Sequence, residues 1–541
     1  MSYHQYRINE LFSNTSGTLQ FIELSVGSFN GESFWAGVNL STTRAGVTNS
    51  FVFPTNLPST STANTSVLIA TQAYADLAQV KPDYVIPDGF LFQAGGSLNF
   101  GGADIISYGP LPSDGSRSVN RSDVPAVATP KNFAGASGPA PAAVAGGAGD
   151  DTLAGSNKTE LVEGLAGNDT LRSGGGNDVL LAGSGDDVVF SGPGNDRLDG
   201  GEGYDYLYFS EAGAGVSVDL RSGLATGGAG NDRLAGFELI FGSNFADTYV
   251  GNDQSVGFLG LGGNDTLTGG AGRDHLEGNE GDDVLDGLDG VDSTAFYSAA
   301  FAIDVNLTTG RATGGLGNDT LRNIEDAVGS VFGDTFTGSA LDNRLEGSDG
   351  DDTFFSTAGD DILQGDAGLD TAVYALARSA YTLRDVETGI AVIEKPGSAG
   401  SDSLPGTERL QFSDIRLALD LDGAAGQTAK LLGVAFGAAS LKNELYVGIG
   451  LSYLDGGMSY EALAALAVDA AGAKSHAAVV TLLWTNLFGS APSAEQAAPF
   501  VAMLDGGTSV GALTVMAAET SFNADNIGLT GLAFTGIEYA L

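Results

Sequence analysis

Along the middle of this chain a single apolar side chain returns in every ninth residue, with small or polar residues between. From Gly146 to Tyr208 the register does not break. Leu153, Leu171, Leu180, Val189, Leu198 and Leu207 hold the eighth place of successive nonapeptides. The phase returns over 227–235, 242–295, 314–322 and 329–373, with Leu267, Leu276, Leu285 and Leu363 in the eighth place. Positions seven to nine read as a very short strand with one side chain inward. Positions one to four, rich in glycine, read as a tight turn that needs positive φ and close backbone approach. A short strand and a turn repeated at a fixed period predict a solenoid.

Outside the repeat the pattern changes. Residues 1–135 carry short apolar runs, among them Gln20-Phe21-Ile22-Glu23-Leu24, Phe51-Val52-Phe53 and Val67-Leu68-Ile69-Ala70, between Gly, Asn, Pro and Ser turns. Such spacing predicts a β-sandwich. The Ala/Pro-rich residues 136–145 read as a linker. After Val373, Tyr381-Thr382-Leu383, Ile390-Ala391-Val392-Ile393 and Arg409-Leu410-Gln411-Phe412 predict strands that cap the solenoid over 374–422. Residues 423–541 show helical periodicity. They contain a duplication, Leu454-Asp455-Gly456-Gly457-Met458-Ser459 against Leu504-Asp505-Gly506-Gly507-Thr508-Ser509, at a shift of 50 residues.

A second duplication lies within the solenoid. A shift of 87 residues carries Gly227–Asp232 onto Gly314–Asp319, and Val216, Val218 and Leu220 onto Ile303, Val305 and Leu307. The same shift carries Asp247-Thr248 onto Asp334-Thr335, and the nonapeptide at Gly260 onto that at Gly347.

The sixth position is where chemistry enters. It is aspartate in nearly every copy, preceded by Asn or Asp, the non-glycine residues that best tolerate left-handed backbone. Stacked turns therefore place a row of carboxylates along one edge, amid glycine-rich carbonyls. Hard oxygen ligands in a flexible cage suit calcium better than magnesium or a transition metal. Without a cation the carboxylates repel and the glycine turns carry a large ordering entropy, so binding and folding should be one event.

Composition sharpens this. The chain has 541 residues, 82 of them glycine, and 67 acidic against 23 basic side chains, for a net charge of −44. Such a charge repels nucleic acid and anionic membranes and attracts cations. There is no cysteine, which excludes disulfides and thiolate sites, and the three histidines, His4, His275 and His476, lie far apart. No run of about 18 apolar residues could span a bilayer. The first residues, Met1 to Glu10, lack the apolar core of a secretory signal peptide.

The nonapeptide resembles the GGxGxDxUx unit of the RTX (repeats-in-toxin) proteins, over residues 146–373. The resemblance implies a mainly β fold, a calcium-binding parallel β-roll, flanked here by the N-terminal β-sandwich and a C-terminal α-helical domain. Carried over position by position, it implies calcium-ligand carboxylates at Asp151, Asp169, Asp178, Asp187, Asp196, Asp205, Asp232, Asp265, Asp274, Asp283, Asp292, Asp319, Asp352, Asp361 and Asp370. Asp247 and Asp334 are weaker members, because their turns lack the glycine pair. Glu160 stands in the degenerate copy from Gly155, and Val256 and Asn343 replace the aspartate in two others. Ile8-Asn9-Glu10-Leu11-Phe12 with Phe21-Ile22-Glu23-Leu24 is similar to the start of lamin-tail-like sandwiches. The duplicated helical segment resembles a domain that follows calcium repeats in some surface-layer and haemolysin-like proteins. The end, Gly536-Ile537-Glu538-Tyr539-Ala540-Leu541, resembles the uncleaved signal of type I secretion substrates.

No catalytic constellation emerges. His275 lies in a repeat, and no HExxH is present. Gly507-Thr508-Ser509-Val510-Gly511 matches GxSxG, but a helical segment precedes it and no histidine follows, so Ser509, like Ser459, is expected to cap a helix. Glu10 and Glu23 are the least trivial candidates for an acid–base pair, although solvated strand residues are the simpler reading. The expectation is a non-enzymatic, extracellular or cell-surface protein. It would fold on calcium and self-assemble as a homo-oligomer or polymer into a layer, filament or matrix. A secreted hydrolase with an unrecognised N-terminal site, and a monomeric adhesin whose sandwich binds a cell-surface glycan, are the alternatives.

Overall fold

In a computed structural model the described residues are 3–112, 117–122, 124–386, 389–395, 400–533 and 535–540. The chain divides into two compact units, Met1–Ala271 and Gly272–Leu541.

The first unit opens with two facing sheets. One runs in the order Pro125–Val127, Arg117–Asn120, Arg7–Ser13, Gln20–Ser25, Ser66–Thr71, Tyr84–Ile86; the other runs Val47–Val52, Asn39–Arg44, Gly96–Phe100, Asp104–Tyr108. All pairs are antiparallel except Ser66–Thr71 with Tyr84–Ile86. Between the sheets Trp35 is fully buried, its ring within about 5 Å of Tyr6, Phe53 and Phe100. Such edge-on aromatic contacts add to the area they bury. Val67-Leu68-Ile69-Ala70 is continuously apolar because Ser66–Thr71 is buried on both faces. One face meets the sandwich core, and the other packs with Phe12, Phe21 and Tyr74 against Leu161 and Val179 of the solenoid. The segment expected to be a linker contributes a strand, Ala142–Ala145, paired in parallel with Glu160–Ala166 as the first rung of the solenoid.

From there each turn of 18 residues adds one strand to each of two parallel sheets, as in Thr170–Arg172 beside Val188–Phe190 and Val188–Phe190 beside Tyr206–Tyr208. Leu171, Leu180, Val189, Leu198 and Leu207 point inward and have no exposed surface. Leu153, on the terminal strand Thr152–Ala154, is half-buried because no turn precedes it. The 87-residue module inserts an antiparallel meander into one sheet. Leu224–Gly227 pairs with both Val216–Asp219 and Gly230–Ala235, and these outer strands pair in parallel with Thr248–Val250 and Arg197–Glu202.

The second unit repeats this arrangement. The meander Ile303–Asn306, Arg311–Gly314, Gly317–Arg322 sits between Val284–Leu288 and Thr335–Thr337. Beyond Thr371–Val373 the hairpin Tyr381–Val386 and Gly389–Glu394 joins Ser401–Leu404, and Arg409–Gln411 continues the other sheet. The remaining chain is helical from Ala424–Phe436 to Leu529–Leu532. Ser459 and Ser509 cap Tyr460–Ala470 and Val510–Ala518, accepting from the N–H of Ala462 and Ala512. The two halves of the duplication meet where Gly511 lies against the Glu461 carbonyl, with no room for a Cβ. Arg409, 3% exposed, ion-pairs with Asp420 and with Asp455 (2.9 Å), which holds the helix Glu444–Asp455 against the end of the solenoid. The segment resembling a secretion signal is built into the fold. Ile537–Tyr539 pairs antiparallel with Arg416–Ala418; Leu541, like Met1 and Ser2, lies outside the described residues.

Candidate metal-binding turns

The parallel register stacks the sixth positions into rows. Along these rows the Oδ1 of one aspartate accepts the backbone N–H of the row residue before it, in most cases the aspartate one turn earlier. Asp151 N donates to Asp169 (2.7 Å), Asp169 N to Asp187 (2.6 Å) and Asp187 N to Asp205 (2.9 Å). On the other edge Asp178 N donates to Asp196, and Asp196 N reaches across the meander to Asp232, both at 2.8 Å. Asp247 N donates to Asp265. In the second unit Asp274 N donates to Asp292, Asp283 N to Asp319, Asp334 N to Asp352 and Asp352 N to Asp370. The backbone carbonyl of the same residue accepts in turn, as Asp169 O does from Val188 N at 2.8 Å. Every expected ligand aspartate is at most 3% exposed except Asp151, in the first turn, which is half-buried.

The second carboxylate oxygen tells a different story. Oδ2 of Asp169, Asp178, Asp187, Asp196, Asp205, Asp292, Asp352 and Asp370 is buried without any hydrogen-bond partner. Buried polar atoms are paired in the great majority of cases, because leaving one unpaired costs about 1–3 kcal/mol. Here the same vacancy in bonding recurs at one phase of the repeat. It also has a fixed neighbour. At Gly200 and Gly365, the first residues of their turns, a Cβ would overlap both Oδ2 of the turn's own aspartate and a backbone carbonyl of the adjacent turn, that of Gly236 or Gly406. Both oxygens face a space only glycine leaves open, and the same pair crowds Gly242 and Gly329 in the turns of Asp247 and Asp334.

Burial pushes the carboxyls of Asp178, Asp196, Asp319, Asp352, Asp361 and Asp370 up to about 7, and those of Asp205, Asp232 and Asp292 up to about 6, with neighbouring carboxylates adding to the shift at most of them. Convergent acceptors, net negative charge and no donor are the conditions for a hard cation. Among the described residues no group of three or more His, Cys, Asp or Glu side chains gathers on one point. The donor set is therefore carboxylate plus carbonyl oxygen, which fits calcium and disfavours zinc or copper.

Other expected ligands differ in their bonding. Oδ2 accepts from Gly147 N at Asp151 (2.6 Å), from the Ser191 hydroxyl at Asp232 (3.3 Å) and from the Thr357 hydroxyl at Asp361 (3.4 Å), and Asp247 and Asp334 have both oxygens taken by the backbone N–H and hydroxyl of a single residue, Ser243 or Ser330. Several row members are absent from the expected ligand set. Glu238 and Glu325 accept from Asp205 N (2.8 Å) and Asp292 N (2.9 Å), extending rows whose next aspartate the meander displaces, and Glu408 does the same for Asp370. The 87-residue shift relates Glu238 to Glu325 and could have found them. Asp402, 4% exposed and pushed by burial up to about 6, occupies the place one turn beyond Asp361, where Ser403 N donates to Asp361 O. Gly400-Ser401-Asp402-Ser403-Leu404 repeats positions four to eight, so its signal was present in the sequence. Asn343 keeps the row without a charge, its Oδ1 accepting from Ser339 N and its Nδ2 donating to Glu325 O.

The other candidates make contacts within the fold. Glu10 and Glu23 face each other across the first two strands. Glu23 is bonded by Asn9, Ser66 and Lys131 N, and Glu10 by Ser118. His275 bonds Ser293 and Glu277 on the outside of its strand, and His476 bonds Asp505.

A comparison with curated proteins finds no match. The family model of the RTX calcium-binding nonapeptide repeat, four copies long, matches residues 145–180, 155–189, 173–207, 224–238, 259–293 and 337–372.

Proposed function

Because the chain is an RTX calcium-binding β-roll protein, we propose that it is a secreted structural protein that folds on extracellular calcium and then self-assembles into a layer, filament or matrix. The observation that carries this reading is the recurring unpartnered Oδ2 in rows of buried carboxylates. In a calcium-poor cytosol these rows oppose folding; outside, the cation completes them.

The contacts for assembly come from the ends. The 50-residue duplication in the helical region forms two apolar clefts of about 210 and 280 Å³, in which Leu463, Leu466 and Ala467 of one match Leu513, Met516 and Ala517 of the other. Leu466 and Met516 are 41% and 53% exposed, apolar surface at each cleft for a second copy of the chain to cover. The role is structural rather than catalytic: Ser509 caps a helix, and Glu10 and Glu23 hold strands together.

A calcium titration from chelator to millimolar, followed by circular dichroism and light scattering, tests both steps. Strand signal and particle size should rise together. Folding without growth would leave calcium as a stabiliser only and direct attention to a monomeric role for residues 1–135.

A further inference from the structure

Most repeat turns take one of two backbone forms at the second residue; Asp196 stands apart, its Oδ2 unpartnered although Gly192 is not left-handed. In the turns of Asp169, Asp187, Asp205, Asp292, Asp352 and Asp370 the second residue is left-handed: Leu165 (φ 83°), Gly183 (118°), Gly201 (104°), Leu288 (70°), Ser348 (76°) and Asp366 (67°). In each of these the aspartate's Oδ2 has no partner. In the turns of Asp247 and Asp334 the second residues, Ser243 and Ser330, are not left-handed.

Their N–H groups turn inward instead. Ser243 N donates to Asp247 Oδ2 at 2.7 Å and Ser330 N to Asp334 Oδ2 at 2.6 Å. Their hydroxyls lie 2.8 and 2.9 Å from the corresponding Oδ1. Ser348 shows that a serine alone does not close a turn, since it is left-handed and Asp352 Oδ2 stays unpartnered.

The fourth position also differs. It is a positive-φ glycine in five of these six open turns, Gly167, Gly185, Gly203, Gly290 and Gly350, and a glycine without positive φ, Gly368, in that of Asp370, but Phe245 and Phe332 in the two closed ones. A bulky side chain avoids positive φ, so Phe245 and Phe332 disfavour the path that the five turns take.

We infer that the turns of Asp247 and Asp334 exclude calcium, and that Ser243 and Ser330 supply from within the chain the charge-satisfying contacts a cation supplies elsewhere. This rests on reading the open turns as calcium sites. Both closed turns sit beside a meander. Asp247 Oδ1 also accepts Val216 N (2.7 Å) and Asp334 Oδ1 accepts Ile303 N (2.8 Å), the first residues of Val216–Asp219 and Ile303–Asn306. The first strand of each inserted meander is therefore clamped by protein donors, a metal-independent joint among metal-dependent turns.

Two measurements on the full chain test this. First, glycine is restored at positions two and four by Ser243→Gly, Phe245→Gly, Ser330→Gly and Phe332→Gly together, and bound calcium is counted by equilibrium dialysis beside the parent. The variant should hold about two more ions per chain than the parent; an equal count in a calcium-folded variant overturns the inference. Second, hydrogen exchange of the unmodified chain at the lowest calcium that keeps the solenoid folded by circular dichroism reads the same joint without mutation. Val216–Asp219 and Ile303–Asn306 should stay protected longer than Val188–Phe190 and Thr353–Phe355. Exchange of all four at one rate overturns it. A parent that binds no calcium would instead sink the calcium reading itself, a result neither arm can be confused with.

Discussion

Asp370→Asn should reverse its effect on stability according to whether calcium is present. Asp370 has no exposed surface; its Oδ1 accepts Asp352 N at 2.8 Å, and its Oδ2 lies unpartnered beside the Gly406 carbonyl. Burial, with Glu408 and Asp352 nearby, pushes its carboxyl from 3.8 up to about 7. At about 1.4 kcal/mol per pK unit, ionising it in the metal-free fold costs about 4 kcal/mol. Asparagine keeps the Oδ1 acceptor, removes the charge, and puts an N–H donor next to the Gly406 carbonyl. The chain already contains this solution at Asn343, whose Nδ2 donates to Glu325 O at 2.9 Å. In chelator at pH 8 the variant should therefore gain about 2–4 kcal/mol, raising the melting midpoint of the solenoid by several degrees. In millimolar calcium it should melt below the parent, having lost the charge the cation binds. Calorimetry of both chains in both buffers reads this directly. A variant that melts lower in chelator as well would refute the claim that the carboxylate is an uncompensated charge without metal.

Further expectations follow from other contacts. In chelator, acid should partly replace calcium. The raised carboxyls near 7 stabilise the metal-free fold fully below their unfolded value near 3.8, and that stability is lost as pH rises through about 7, so melting midpoints should fall over that window. Gly365→Ala puts a Cβ into the Gly406 carbonyl and Asp370 Oδ2; thermal melts in calcium should show a loss of about 1–3 kcal/mol. Arg409→Ala leaves Asp420 and Asp455 without their buried cation. A loss of about 3–5 kcal/mol is expected, visible as early proteolytic release of residues 424–532. Glu238→Gln keeps an acceptor for Asp205 N, whereas Glu238→Ala does not; only the alanine variant should destabilise, by about 1–3 kcal/mol in urea titrations.

The period of nine determined most of the solenoid by itself. One apolar residue, a glycine turn and one aspartate per repeat specify a rung, and stacking identical rungs leaves little choice of partner. Leu171, Leu180 and Asp169 therefore lie where the spacing places them. The N-terminal strands were legible from their apolar runs, and the helix caps at Ser459 and Ser509 from the 50-residue duplication. What the repeat does not encode is decided between elements distant in sequence. The meander that sends Asp196 N to Asp232, 36 residues away, breaks the rule that neighbours in space are 18 apart. Glu238, Glu325 and Glu408 enter the rows only because the fold brings an off-phase carboxylate to an N–H that would otherwise be unpaired. Ser243 and Ser348 are the same residue at position two in opposite backbone forms, and only the first donates to its aspartate's Oδ2. A side chain's identity sets which bonds it can make; the tertiary path of the backbone sets which donors reach it.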